Sequence, residues 1–212
     1  MPTRTDPVNE TLLDGFRELS TPVVADTKHQ GVAVLSGSIE AIHAGCSVVG
    51  AARTTRVDPS AIWPPVETLV DADAGDVIVI DAGGCIEEAV WGELLSTYAE
   101  TIGVAGMVTD GAVRDISEIR DLGFPVFAPA RTPRGPSGSA EIERDVPIAL
   151  GETVIEPGDI VMGDESGVAV IDRNAAEEIL ADAREIEETE RAVRRHIDDG
   201  KSLEEAFEHA GM

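Results

Sequence analysis

Aromatic residues are scarce in this chain: Phe, Tyr and Trp make up 3% of its 212 residues. A core must then be filled by Ala, Val, Ile and Leu, and a hydrophobic fraction of 42% is enough for one domain of ordinary size. Positive charge is scarce too. Lysines stand only at 28 and 201, and 16 basic residues face 41 acidic ones for a formal charge of −25. A surface this negative excludes broad nucleic-acid binding, which needs cationic patches on the phosphates. The acids are spread along the chain between periodic apolar residues, which excludes acid-rich disorder. A compact protein of this charge repels itself in dilute buffer, and molar salt, with a screening length of about 3 Å, removes that repulsion. The composition therefore points to a salt-adapted, halophilic cytoplasm. Cysteine is nearly missing: Cys46 and Cys85 lie far apart, in no ligand spacing, and read as buried thiols. No apolar run approaches the roughly 18 residues that span a membrane, and Met1 to Glu10 is too polar for a secretory signal.

What is present is an alternating pattern. Leu12, Leu13, Phe16 and Leu19 recur at helical spacing. Thr21-Pro22 reads as an N-cap followed by proline at the first helical position, opening a short helix that ends near Gly31. Residues 32–57 read as two or three strands, and Pro64-Pro65-Val66 opens another helix. Val77 to Ile80 suits a strand buried on both faces. Residues 86–102 read as an amphipathic helix with Ala89, Val90, Leu94, Tyr98 and Ile102 inward. Val104 to Val108 is the next buried strand, Arg114 to Leu122 a helix, and Gly123 to Phe127 a strand. This order predicts an α/β layer with parallel pairing. Residues 130–142 form a turn-rich loop, and β-rich segments follow to Ile171. Residues 175–198 make a long charged helix with Ile179, Ala183, Ile186, Ala192 and Val193 as its apolar positions, and Leu203, Ala206 and Phe207 mark a final amphipathic turn. The expected organisation is one domain over 1–174 and a C-terminal helical tail over 175–212 that packs on a neighbouring subunit.

One constellation carries chemistry. A helix from Glu93 runs about 15 Å at 1.5 Å per residue, and the strand after it returns a similar distance. Glu93 and the pair Arg114-Asp115 therefore fall at one edge of the layer, outside the carboxyl ends of parallel strands, where ligands of open α/β sheets collect. Gly83-Gly84 falls at the same edge, and its amides could approach an anion closely. Blander readings stand beside these. Asp115-x-x-Glu118 is also a capping-box-like helix start, Arg114 could bridge Glu93 or Glu118, and Asp110-Gly111 is first of all a turn. Histidines 29, 43, 196 and 209 are scattered and read as non-catalytic.

The longer pattern is more specific. Gly92-Glu93-Leu94-Leu95 is followed by Gly103-x-x-Gly106-x-Val108-x-Asp110-Gly111-x-Val113-Arg114-Asp115-x-x-Glu118, then by Leu122-Gly123-Phe124-Pro125-Val126-Phe127-Ala128. It resembles the divalent-metal 4-hydroxy-4-methyl-2-oxoglutarate aldolases and the related regulators of ribonuclease E activity (RraA-like proteins). The similarity runs from Thr21-Pro22 to Val168–Ile171, with Glu118 where the better-known aldolases tend to have Asp. The resemblance implies a mixed α/β/β layered fold, a homotrimer or dimer of trimers, and a site between subunits. It implies Mg²⁺ or Mn²⁺ bound directly by Asp115, with Glu93 holding it through water and Glu118 as a further candidate. Arg114 and the segment Gly92, Glu93, Leu94 and Leu95 would grip a pyruvate-like 2-oxo acid. An acid of the neighbouring C-terminal region, Glu187, Glu188 or Glu190, would complete the shell.

The chemistry agrees from another direction. Cleaving a 4-hydroxy-2-oxo acid leaves a pyruvate enolate that needs a nearby cation, either a Schiff-base lysine or a metal. No lysine lies near the motif, and carboxylates without clustered His or Cys suit Mg²⁺ or Mn²⁺ better than zinc. The expected enzyme is thus a carbon–carbon lyase with Arg114, Glu93 and Asp115 as catalytic residues and oxaloacetate decarboxylation as a side activity. The alternative is a non-catalytic trimer that regulates a ribonuclease or other RNA-processing partner. No Gly-x-Gly-x-x-Gly pattern supports a methyltransferase.

Overall fold

The computed structural model describes residues 8–58, 65–136 and 142–211. Helices α1 (Glu10–Arg17) and α2 (Thr21–Asp26) lead into β1 (Val32–Val34), β2 (Glu40–Ala41) and the long β3 (Val48–Arg56). Helix α3 (Val66–Val70) precedes β4 (Asp76–Asp81) and β5 (Ala89–Trp91). Then come α4 (Glu93–Thr101), β6 (Gly106–Thr109), β7 (Ala112–Val113), α5 (Ile116–Leu122), β8 (Val126–Ala128) and β9 (Ala130–Arg131). Strands β10 (Glu143–Arg144), β11 (Ile148–Leu150), β12 (Thr153–Ile155), β13 (Ile160–Asp164) and β14 (Gly167–Ile171) follow, and α6 (Ala176–Asp198) and α7 (Leu203–Ala210) close the chain.

The main sheet runs β1-β14-β13-β3-β4-β6-β8-β2, with β10 paired to β3. Its centre, β3-β4-β6-β8, is parallel, and both flanks are antiparallel. Val77, Ile78, Val79 and Ile80 are each fully buried, as a central strand covered on both faces requires. On one face Ile78, Ile80 and Met107 pack with Ala99 of α4 and Ile119 of α5. On the other, Val77, Val79 and Val108 pack with Ile148, Leu150 and Ile155 of the β11–β12 hairpin. Helices, sheet and hairpin are the three layers of a mixed α/β/β fold. Truncating Ile78 to Ala should cost about 2–5 kcal/mol, since nothing in so tight a core can refill the space.

A third apolar cluster joins Leu13 and Phe16 of α1, Val23 and Val24 of α2, and Ile179, Leu180 and Ala183 of α6. The first half of the tail helix thus packs on its own chain. Ser202 and Glu205 form a reciprocal cap at the start of α7, and Leu203 and Phe207 are exposed. Among the described residues no helix is long and apolar enough to cross a membrane.

Three local expectations change. The helix expected over 86–102 is a strand and a shorter helix: Ala89, Val90 and Trp91 are buried in β5, and α4 begins only at Glu93. Its inward side is Ser96 and Ala99, while Leu94 and Tyr98 point outward, 74% and 42% exposed. Pairing of β5 with β7 outweighs the helical spacing of residues 89–102. At α2 the N-cap is Ser20, and Thr21 instead ties the helix to β13: its N–H and its hydroxyl donate to Asp164 at 2.8 and 2.6 Å. The loop expected over 130–142 contains β9, and its residues 137–141 lie outside the described residues, as does Pro64.

Candidate active site

A small parallel sheet, β5-β7-β9, builds the site. Each of its strands follows the carboxyl end of a main-sheet strand: β5 follows β4, β7 follows β6, and β9 follows β8. The chain thus takes a second, shorter ladder before each turn. Gly92-Glu93 follows β5, Arg114-Asp115 follows β7, and Gly135-Pro136 lies a few residues beyond β9. The Arg114 N–H donates to the Trp91 carbonyl at 3.1 Å, and the Thr132 N–H to the Val113 carbonyl at 3.0 Å. These bonds align the three strand ends around one cleft.

The cleft has a volume of about 150 Å³. Arg114 and Asp115 are its charged lining, and Val66, Ala89, Val90, Trp91, Leu94, Leu95 and Pro136 supply most of the wall. Trp91 is fixed by stacking on Phe124 and by donating its indole N–H to the Ser96 hydroxyl at 2.8 Å.

Asp115 stands in a left-handed backbone conformation, φ 58° and ψ 43°, which few residues other than glycine, Asn and Asp adopt. Its side chain does not cap α5, so the capping-box reading of Asp115-x-x-Glu118 fails. Instead Oδ2 accepts the Glu93 N–H at 3.2 Å and lies 3.4 Å from Arg114 Nε. The carboxylate is 38% exposed. Gly92 makes this possible. A Cβ there would lie 2.6 Å from Asp115 Oδ2 and 3.1–3.2 Å from Arg114 Cγ and Nε. Gly135 clears the other side, where a Cβ would fall 2.6 Å from a terminal nitrogen of Arg114. The arginine is threaded between two glycines, with its Nε paired to Asp115.

Glu93, a half-buried residue, opens α4, and its carboxylate accepts from the Thr97 hydroxyl at 3.0 Å. Gly92, Glu93, Leu94, Leu95, Arg114 and Asp115 thus come together. Glu118 does not join them: its carboxylate is exposed, and the Ser117 hydroxyl, 2.8 Å away, holds it below the ordinary carboxylate range. Glu187 is bound to Arg191 and Arg194 on α6, and Glu190 borders a separate, acid-lined hollow of about 540 Å³ between α2 and α6.

The Gly83-Gly84 turn is a correction. Both glycines have positive φ, but the turn's amides already hold an anion of the protein itself. Asp110 accepts the Ala82 and Gly84 N–H groups at 2.6 and 2.9 Å, and Asp81 accepts that of Gly83 at 3.0 Å. Burial raises the Asp110 carboxyl above its ordinary value despite those bonds. Cys46 is buried, with its thiol 3.3 Å from His43 Nε2, whereas Cys85 is only half-buried.

Sequence reasoning missed Gly135, Val66, Trp91 and Pro136. The first sits in a turn-rich stretch that gives no sign of what it faces. Pro136 shares that stretch, Val66 comes from the start of α3, and Trp91 reaches the cleft through the pairing of β5 with β7.

The donor set can be tested against a metal ion. Among the described residues no group of three or more His, Cys, Asp or Glu side chains is placed to share one. A zinc cage is therefore not offered. A hard ion that keeps most of its water needs only one or two carboxylates. The part-exposed Asp115, with space cleared by Gly92, fits such an ion; Glu93 meets it through its backbone N–H, while the Glu93 carboxylate accepts from Thr97.

Comparison with known proteins agrees with this architecture. The model of the Aldolase/RraA family matches residues 21–170. A Halalkalibacterium halodurans protein, provisionally named 4-hydroxy-4-methyl-2-oxoglutarate aldolase, is 35% identical over 184 residues, 87% of each chain. An uncharacterized Pseudomonas syringae protein superposes with a TM-score of 0.85 at 28% identity, over 95% of this chain and 99% of that one. Streptomyces coelicolor RraAS2, described as an unusual member of the RNase ES inhibitor RraA family, superposes with a TM-score of 0.79 at 28% identity, over 90% of this chain and all of that one. With a family match over most of its length and a layered fold shared with these relatives, the chain belongs to the Aldolase/RraA family.

Proposed function

We propose that the protein is a divalent-metal-dependent carbon–carbon lyase that cleaves 4-hydroxy-2-oxo acids to pyruvate and also decarboxylates oxaloacetate. The observation that carries this reading is the meeting of Arg114, Asp115 and the start of α4 in one apolar-walled cleft. Arg114 donates to the substrate carboxylate, and the first-turn amides of Leu94 and Leu95 favour negative charge at the same end. Mg²⁺ or Mn²⁺, held by Asp115 with Glu93 beside it, would supply the positive charge that stabilises electrons arriving at the 2-oxo oxygen. Glu93 orients the water that takes the proton from the 4-hydroxyl. The C3–C4 bond then breaks, C4 becomes a carbonyl, and protonation of C3 completes pyruvate. Loss of CO₂ from oxaloacetate leaves the same enolate. The working form is proposed to be a homotrimer or dimer of trimers, with the C-terminal helices reaching a neighbouring subunit.

Pyruvate release with Mg²⁺ in molar KCl tests the reading. Asp115→Asn and Arg114→Ala should each lower kcat/KM by roughly 10³-fold. Rates equal to wild type would sink it.

The likeness to the Streptomyces inhibitor-family protein supports a second reading, a non-catalytic regulator of an RNA-processing enzyme. Recovery of a ribonuclease in a pull-down, with no metal-dependent turnover, would favour it.

A further inference from the structure

One buried hydroxyl stands behind the cleft. Ser96 lies in the first turn of α4 and is fully buried. Its hydroxyl accepts the indole N–H of Trp91 at 2.8 Å and donates to the Gly92 carbonyl at 3.2 Å. The Ser96 N–H reaches the same carbonyl at 3.1 Å. A serine bonded to the carbonyl four residues back is a common local habit of helices. What sets this one apart is the buried indole that also binds it. An indole N–H only donates, so it takes a lone pair of the hydroxyl and leaves the hydroxyl proton for Gly92. Trp91, itself stacked on Phe124, thereby fixes which way the Ser96 hydroxyl points.

The Gly92 carbonyl and the Glu93 N–H belong to one planar trans peptide, so they point in opposite directions. At the far end of that peptide the Glu93 N–H donates to Asp115 Oδ2 at 3.2 Å. Ser96 grips one end of a rigid plate, and the other end holds Asp115. Gly92 has no side chain to steer the plate, so the donors on its carbonyl do so. Asp115 Oδ2 sits between the Glu93 N–H and Arg114 Nε, 3.4 Å away, and a turn of the peptide shifts the oxygen between them. We infer, resting on the metal-dependent lyase reading, that Ser96 is a positioning residue: through the 92–93 peptide its hydroxyl aims the Asp115 carboxylate at the divalent ion. Groups that orient a metal ligand from behind change metal affinity by about 10- to 100-fold when removed. Ser96 acts at one peptide's remove, so the lower end of that range applies.

The test uses the full chain in molar KCl and follows Mn²⁺ binding through the spin-resonance signal of the free ion. Ser96→Ala should weaken Mn²⁺ binding about tenfold. Asp115→Asn sets the background held by the acidic surface, and adding Ser96→Ala to it should change that background less than about twofold. Removing the hydroxyl also strands the buried indole N–H, which lowers stability. Trp91→Phe combined with Ser96→Ala removes that donor too. Measured against Trp91→Phe alone, the double variant should unfold at a similar midpoint and still bind Mn²⁺ at least about threefold more weakly. Turnover gives a second readout: oxaloacetate decarboxylation by Ser96→Ala should be slow at low Mn²⁺ and approach the wild-type kcat as Mn²⁺ is raised. Exchange of pyruvate methyl protons in D₂O reports the lyase reading separately. Equal Mn²⁺ affinity in wild type and Ser96→Ala, or an equal loss in the Asp115→Asn background, overturns the inference and leaves the lyase reading standing. Weaker Mn²⁺ binding by Ser96→Ala, with no exchange by wild type, overturns the lyase reading and keeps Ser96 as the residue that aims Asp115. No Mn²⁺ binding by wild type above the Asp115→Asn background overturns both.

Discussion

Two turns at the same edge of the sheet place a carboxylate over backbone amides, with opposite results. After β4, Asp110 takes two N–H groups at 2.6 and 2.9 Å in a half-buried turn. After β5 and β7, Asp115 takes one N–H at 3.2 Å and stays 38% exposed beside an open cleft. The first carboxylate spends its acceptors on architecture. The second is held through one oxygen, in a strained backbone, with glycines clearing the space around it. The difference teaches that a carboxylate becomes available to a ligand by being under-used, not by being present.

The comparison breaks most readily through activity. Asp115→Asn keeps the backbone preference and removes the charge, so kcat/KM should fall roughly 10³-fold while the denaturation midpoint hardly moves. A large stability loss would mean that Asp115 is architecture after all. Next in size is Gly92→Ala. Its φ of −162° suits any residue, so the added methyl acts only by pushing on Asp115 and Arg114. Activity should drop about 10²-fold from such a displacement, read as kcat/KM at unchanged fold by circular dichroism.

Asp110→Ala should do the reverse. It strands the Ala82 and Gly84 amides and should cost about 2 kcal/mol in chemical denaturation, with the cleft chemistry much less affected. A third clasped carboxylate, Asp164, sharpens the point through pH. Burial pushes Asp164 up, but hydrogen bonds from Thr21 and Ser166 outweigh it and hold the group below its ordinary value. A depressed folded-state pKa contributes stability that is full above the unfolded value and lost as pH falls through the folded one. Asp164→Asn should therefore flatten the acid limb of the stability profile below about pH 4. The smallest effect belongs to Gly135→Ala, where the crowded atom is the far end of a flexible arginine. A few-fold rise in KM for pyruvate-type ligands is expected, with kcat nearly unchanged.

Much of this was legible in the sequence because burial leaves local patterns. The run Val77 to Ile80 gave a strand covered on both faces, and the spacing of Ile179 and Ala183 gave the buried side of α6. The meeting of Glu93 with Arg114-Asp115 followed from element lengths alone, although Glu118 fell outside the cleft. What stayed hidden depends on pairing between distant segments. Residues 89–91 carry helical spacing and become β5 because β7 is there to receive them. Gly83-Gly84 reads as an anion site, and nothing nearby in sequence announces that Asp110 fills it.

The left-handed backbone at Asp115 has an evolutionary consequence. Holding a side chain in that conformation costs roughly 1–2 kcal/mol that glycine would not pay. A lineage that keeps the fold but drops the chemistry gains stability by drifting to glycine there, and only selection on the carboxylate resists it. On the proposed lyase reading, the residue at this one position would separate relatives that use the cleft from those that do not.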